Sequence, residues 1–284
     1  MAFVTRFAPS PTGPLHLGHA FSALTAHDRA KSAGGTFLLR IENTDTARCR
    51  PDYEDAIHAD LGWLGLSWPS PVLRQSEHLA RYAQSLQRLT DLGLTYACRC
   101  RRGDILAALS APQEGVTHLP PDGMVYPGTC RDLQLGMTAH PAIRLDLAKA
   151  LRHLEGGAAL EFQETGPERA GLHPLDPDDM RRNIGDIILS RRDIGTASYH
   201  LAVVVDDAAQ GVTEVTRGMD LFSATPVHIL LQRLLDLPTP SYHHHRLIRD
   251  AQGKRLAKRD DARALAKYRA EGATPQDIRR IVGL

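Results

Sequence analysis

The chain has 284 residues, 42% of them hydrophobic and 24% charged, with 34 lysines and arginines against 33 acids. A net charge of +1 argues against a general duplex binder driven by counterion release, so any nucleic-acid contact has to be local and shape-dependent. No apolar run approaches the ~20 residues that cross a bilayer. The start, Met1 to Arg6, lacks the basic-then-apolar order of a signal peptide, so a cytoplasmic location with no membrane partner is expected.

In chain order, Phe3 to Phe7 reads as a short strand that enters a loop, Ala8-Pro9-Ser10-Pro11-Thr12-Gly13-Pro14, too rich in proline for regular structure. From Leu15 the spacing of Leu17, Ala20, Phe21 and Leu24 predicts a helix running to about Gly34. Phe37 to Ile41 is a compact apolar strand, and residues near 52–64 and 77–93 have amphipathic helical spacing. Strand alternating with helix predicts an α/β fold with a Rossmann-like doubly wound parallel sheet.

The rhythm breaks from about residue 98. A Pro- and Gly-rich stretch from Ser110 to Gly128 and short strand-like pieces such as Ala142 to Leu147 suggest an insertion. Alternation resumes at Ile184 to Leu189, and Leu201 to Val205 reads as a buried strand. Thr225 to Leu235 is helical and stops at Pro238-Thr239-Pro240. The expected organisation is 1–97 and 184–237 as two halves of one catalytic domain, 98–183 as the insertion, and 238–284 as a charged loop with a helical end.

Three clusters carry chemistry. His16-Leu17-Gly18-His19 opens a helix, where free N–H groups and partial positive charge suit a polyphosphate; Gly18 permits close approach and the two imidazoles share a face. Gly253-Lys254-Arg255-Leu256-Ala257-Lys258-Arg259 is a cationic loop able to stabilise charge building at a phosphorus. Cys98-x-Cys100 followed by Tyr126-x-x-x-Cys130 offers three thiolates, which one further oxygen or nitrogen would complete as a tetrahedral zinc site, from Tyr126, His118 or His140. Each has a plainer reading as solvated surface or a lone thiol. His243-His244-His245 is discounted as a metal cluster, because adjacent strand residues cannot converge on one ion.

Taken in order, these blocks resemble the glutamyl branch of the class I aminoacyl-tRNA synthetases. Arg6 to Gly13 running into His16-Leu17-Gly18-His19 is similar to the first signature of that class, and the loop holding Lys258 stands where its KMSKS-type signature falls. Arg40 to Asp45, Val203 to Asp207 and Thr216-Arg217-Gly218 match further blocks of the glutamyl branch. Only a short stretch separates Arg259 from Leu284, so no anticodon-reading domain is expected. Together with the cysteine insert, that resembles the glutamyl-Q tRNA(Asp) synthetase family.

The resemblance implies an ATP-dependent ligase that activates glutamate without tRNA and transfers it to queuosine in the anticodon loop of tRNA(Asp). The alternatives are a shortened conventional synthetase charging a tRNA 3′ end and a non-catalytic glutamate- or nucleotide-binding paralogue. The implied glutamate site is Arg6, Phe7, Ala8, Pro9, Ser10, Glu42, Tyr199 and Arg217, with the arginines on carboxylates and Glu42 on the ammonium. His16, Gly18, His19 and Lys258 are implied at ATP, with His16, His19 and Lys258 catalytic. Cys98, Cys100, Tyr126 and Cys130 are implied to hold one structural zinc, Mg²⁺ accompanies ATP, and the chain is expected to be monomeric.

Overall fold

The computed structural model describes residues 2–101, 103–105, 125–136, 141–192, 196–249 and 263–284. Strand β1 (Val4–Phe7) runs parallel to β2 (Thr36–Ile41), which pairs in parallel with the short β3 (Leu73–Arg74). Between β1 and β2 lies α1 (Leu17–Ser32), whose Leu17, Ala20, Phe21 and Leu24 are buried, as their spacing predicts. Helices α2 (Pro51–Trp63) and α3 (Leu79–Asp91) then follow β2 and β3.

Strand β4 (Thr95–Cys98) leaves this layout and pairs antiparallel with β5 (Ala142–Leu145), which in turn pairs antiparallel with β8 (Ile188–Ser190). Between β5 and β8 come α4 (Leu147–His153), the antiparallel pair β6 (Glu161–Glu164) and β7 (Gly171–Pro174), and α5 (Pro177–Asn183). β6 does not stay with β4 and β5; it pairs with β10 (Ser241–His245), which is parallel to β9 (Glu214–Gly218). Isolated bonds join β1 to β9: Thr213 N–H donates to the Val4 carbonyl at 2.9 Å, and the Thr5 and Thr216 hydroxyls meet at 3.1 Å. Chain order therefore reverses between β1 and β9, the switch point at which open α/β folds place ligands.

One expectation fails. Leu201 to Val205 is not a strand; it lies within α6 (Tyr199–Ala209). All residues from His200 to Asp207 are buried, so the run has no solvent face from which to read a period. The helix ends at Gln210, and Gly211 follows at φ +64, the left-handed conformation that glycine adopts without a Cβ penalty. On this helix Asp206 accepts from Tyr82 and Gln75 of the α3 side, while Asp207 meets Arg6 and Arg40. Helix α7 (Thr225–Leu234) packs Val227, Leu230, Leu231 and Leu234 into the same core as α6. At the C-terminus, α8 (Leu265–Ala270) and α9 (Pro275–Val282) return to α1: Arg279 grips Asp28 at 2.7 and 2.9 Å, and Ile278 and Val282 join the core around α1.

Candidate active site and cysteine cluster

The C-terminal ends of β1, β2, β9 and β10 and the N-terminus of α6 surround a cavity of about 420 Å³. Arg6 and Phe7 reach it from β1; Ala8, Pro9 and Ser10 from the loop beyond; His16, Gly18 and His19 from the start of α1. Glu42 follows β2, Tyr199 begins α6, and Arg217 belongs to β9. These eleven residues, singled out from sequence, therefore share one cavity. Lys258 and the rest of its signature lie outside the described residues. On either side of that segment, Ile248 lines the cavity and Ala264 bridges to His16.

The two histidines of the first signature do more than offer donors. His16 is the N-cap of α1: its Nδ1 accepts the Gly18 N–H at 3.1 Å, and the His19 Nδ1 accepts the His16 N–H at 3.2 Å. This is a capping box built from imidazoles. The rings stack with centroids 3.8 Å apart. Because each Nδ1 accepts, each neutral ring carries its proton on Nε2, the tautomer able to donate to an anion. The N–H of Gly18 is thus occupied by the cap.

The arginines are held in different ways. Arg6 grips both oxygens of Asp207, at 2.8 and 3.1 Å, and Arg40 donates to the same carboxylate at 2.6 Å. Burial works to raise the Asp207 carboxyl, but Arg6 and Arg40 outweigh it and hold it down to about 2. Glu42 is pushed up by burial, opposed by Arg40 and Arg6. Arg217 donates from Nε to the His244 Nε2 at 3.0 Å, from Nη1 to the His228 Nδ1 at 2.9 Å, and from Nη2 to the Thr225 hydroxyl at 2.8 Å. Burial and then the Arg217 charge hold His228 and His244 well below the usual histidine range. Asp207, His228 and His244 were not assigned to the site from sequence. Their partners lie far along the chain, and the only local signals were the Val203 to Asp207 block and the histidine run now seen buried in β10.

A second constellation lies at the end of β4. The Sγ atoms of Cys98, Cys100 and Cys130 all lie within 4.8 Å of one another and could hold a metal ion. Cys100 and Cys130 are 3.4 Å apart, and the Tyr126 hydroxyl is 3.4 Å from both Cys98 and Cys100. Tetrahedral ligands at zinc–sulfur and zinc–oxygen lengths stand about 3.5–3.8 Å apart, so the four atoms fit with small adjustment. His118 and His140, the alternative fourth ligands, lie outside the described residues. Burial raises the Cys130 thiol, but hydrogen bonds from Tyr126, the Arg99 backbone and the other two cysteines bring it down to about 7. Burial pushes Cys100 up to about 11, and burial with the three thiols pushes the Tyr126 phenol up as well. Arg144 stacks its guanidinium 3.8 Å over the Tyr126 ring and donates to the Cys98 sulfur, and Arg131 ties the neighbouring loop to Asp186.

Comparison with known proteins agrees with this layout. The catalytic-domain model of the class I tRNA synthetases (E and Q) matches residues 2–118 and 177–284. The glutamyl-Q tRNA(Asp) synthetase of Rhodobacter capsulatus is 60% identical over 283 residues, covering 99% of this chain and all of that protein. The protein of the same name from Nocardia farcinica is 42% identical, over 96% of this chain and 81% of its own. Among solved structures, the glutamate-tRNA synthetase of Elizabethkingia anophelis superposes with a TM-score of 0.78 at 24% identity, and this chain spans 61% of its length. The glutamate tRNA ligase of Elizabethkingia meningosepticum, solved with its amino acid, gives 0.75 at 25% identity, again over 61% of its length. Among the described residues, no helix is long and apolar enough to cross a membrane. The chain belongs to the class I tRNA synthetases of the E and Q branch and, within it, to the glutamyl-Q tRNA(Asp) synthetase family.

Proposed function

We propose that the chain activates L-glutamate with ATP and transfers it to the queuosine base in the anticodon loop of tRNA(Asp). The observation that carries the amino-acid assignment is Arg217. It is a buried guanidinium on the cavity wall whose partners are two imidazoles and a hydroxyl, with no carboxylate in ion-pair contact among the described residues. A substrate carboxylate supplies the missing anion, and the planar fork suits its two oxygens. Arg6, already satisfied by Asp207, takes the second carboxylate as a shared partner, and Glu42 faces the ammonium. Tyr199 and Ser10 line the same wall.

In the first step an oxygen of the glutamate α-carboxylate attacks the α-phosphorus, and the bond to pyrophosphate breaks. The Nε2 protons of His16 and His19 hold phosphate oxygens, and Lys258 offsets the charge that develops. Magnesium bound with ATP neutralises further phosphate charge. In the second step a hydroxyl oxygen of the queuosine cyclopentene diol attacks the adenylate carbonyl. AMP departs with the electron pair of the broken carbon–oxygen bond, and the hydroxyl proton passes to the leaving phosphate or to water. The cysteine cluster binds one structural zinc, which fixes the end of β4 against the Tyr126–Cys130 loop. The substrates are those of the cytoplasm.

Transfer is tested by charging tRNA with labelled glutamate and locating the label. Label retained after removal of the 3′-terminal nucleotide, and absent on tRNA from a queuosine-deficient source, is the expected result. Label lost with the 3′-terminal nucleotide overturns the acceptor and favours a conventional synthetase.

A further inference from the structure

Two arginines enter the cavity, and their supports differ in charge. Asp207 holds Arg6 and so neutralises part of it. His228, His244 and Thr225 hold Arg217 with three directed bonds and, among the described residues, no negative charge in contact. Arginine has five N–H groups and no acceptor, so each imidazole nitrogen facing it must present a lone pair. That requirement fixes both tautomers. His244 carries its proton on Nδ1, donated to Glu164 Oε2 at 2.5 Å; His228 carries its proton on Nε2, donated to the His200 Nδ1 at 3.1 Å.

The far end of this chain of bonds is rigid. Glu164 is fully buried, and its Oε1 accepts the backbone N–H groups of Gly166 and His244 at 2.6 and 2.9 Å. A Cβ on Gly166 would lie 2.3 Å from the His244 carbonyl and 2.6 Å from that oxygen, so the position admits only glycine without a shift. With Nε, Nη1 and Nη2 each giving one bond to these supports, one N–H remains on each terminal nitrogen of Arg217. Those two are the pair that a carboxylate accepts side by side.

We propose that His228 and His244 are specificity-determining positioning residues: they aim Arg217 into the cavity while leaving its full positive charge for the substrate. The buried acid at the end of this relay, Glu164, is kept one imidazole away. An amide in place of the substrate carboxylate leaves this buried cation uncompensated, so the same arrangement rejects glutamine in favour of glutamate. The inference rests on the reading that Arg217 meets a glutamate carboxylate.

The test measures KM for glutamate and for ATP separately, by pyrophosphate exchange, in the full-length enzyme. His228→Asn keeps an acceptor at the Nδ1 position without charge, and stays within about threefold of wild type for glutamate. His228→Asp keeps the acceptor and adds an anion; it raises the glutamate KM about tenfold or more, leaves the ATP KM in place, and narrows the preference for glutamate over glutamine. A merely structural role moves both KM values or the active fraction together, and does not separate Asn from Asp. Arg217→Ala is the control: if its glutamate KM is unchanged, the underlying reading of the pocket fails. If it rises while His228→Asp behaves as wild type, the positioning role alone is overturned. Should His228→Asp fail to fold, His244→Gln against His244→Glu asks the same question from the Nε side, with the same two outcomes.

Discussion

Asp207 receives both donors of the Arg6 fork and the Arg40 Nη1 on one carboxylate, buried at the switch point of the sheet. Arg40 also donates to Glu42 at 3.2 Å, so the two guanidiniums share Asp207 while, among the described residues, Arg40 alone has a second acid in hydrogen-bond contact. Removing the acid takes the carboxylate from the buried Arg6 and one of the acids from Arg40, which keeps Glu42, and breaking a buried pair of this kind costs on the order of 3–5 kcal/mol. Asp207→Asn is therefore expected to lower unfolding stability by about that amount near neutral pH. The sign with pH follows from a carboxyl held at about 2 against 3.8 in the unfolded chain. Its stabilisation is complete above the unfolded value and is lost as pH falls through the folded one. The gap between wild type and variant in denaturant titrations should shrink between pH 4 and 2. A gap that stays constant to pH 2 removes this account.

The cysteine cluster yields a second expectation. Purified protein should contain one zinc per chain by elemental analysis, and Cys98→Ala or Cys130→Ala should lose it. Both residues are buried beside β4, where the neighbouring cluster of buried side chains is small, so a chelator should lower thermal stability as well. Arg144→Leu is expected to weaken retention against a competing chelator, because it removes the cation beside Cys98 and Tyr126. Native protein that is fully folded yet free of metal would contradict the zinc assignment.

Much of the cavity was legible in sequence because its parts cluster locally. Arg6 to Ser10 and His16 to His19 fall on one strand, loop and helix start, and proline, glycine and helix spacing mark each boundary. What escaped was whatever depends on distant partners. Asp207 was visible as a residue but not as the anchor of Arg6. The histidines of β10 were visible only as a run, and the partnership of His244 with Glu164 spans two strands paired late in the chain. Leu201 to Val205 failed for a different reason: a helix buried on every side shows the same unbroken apolar run as a buried strand. Eleven residues between Ser198 and Gln210 exceed the usual strand, and that length was the signal to weigh.

Activation should not need tRNA. Arg6, Glu42, Tyr199 and Arg217 line one cavity with the first signature, and their supports come from this chain. Pyrophosphate exchange with glutamate and ATP alone should reach a rate comparable with that measured in the presence of tRNA. Exchange that appears only when tRNA is added would mean that RNA completes the pocket, and would favour the conventional glutamyl enzyme.

The dual role of His16 can be separated by substitution. Its Nδ1 caps α1, its Nε2–H is the group proposed to meet phosphate, and these two atoms are 1,3-related on one ring. Asparagine places an oxygen where Nδ1 stands, and is itself among the better N-cap residues. It offers nothing at the Nε2 position. His16→Asn should therefore keep the stability of the wild-type protein to within a few tenths of a kcal/mol, whereas His16→Ala should lose about 1 kcal/mol with the cap. Both should slow pyrophosphate exchange by about tenfold or more, because both lose the donor to a charged oxygen. Unfolding curves and exchange rates on the same preparations make the comparison. If His16→Asn retains wild-type exchange, His16 acts on the helix alone and the phosphate contact must be assigned elsewhere. If His16→Asn is as unstable as His16→Ala, the cap is not what holds the start of α1, and packing of Leu17 and Phe21 carries that end instead.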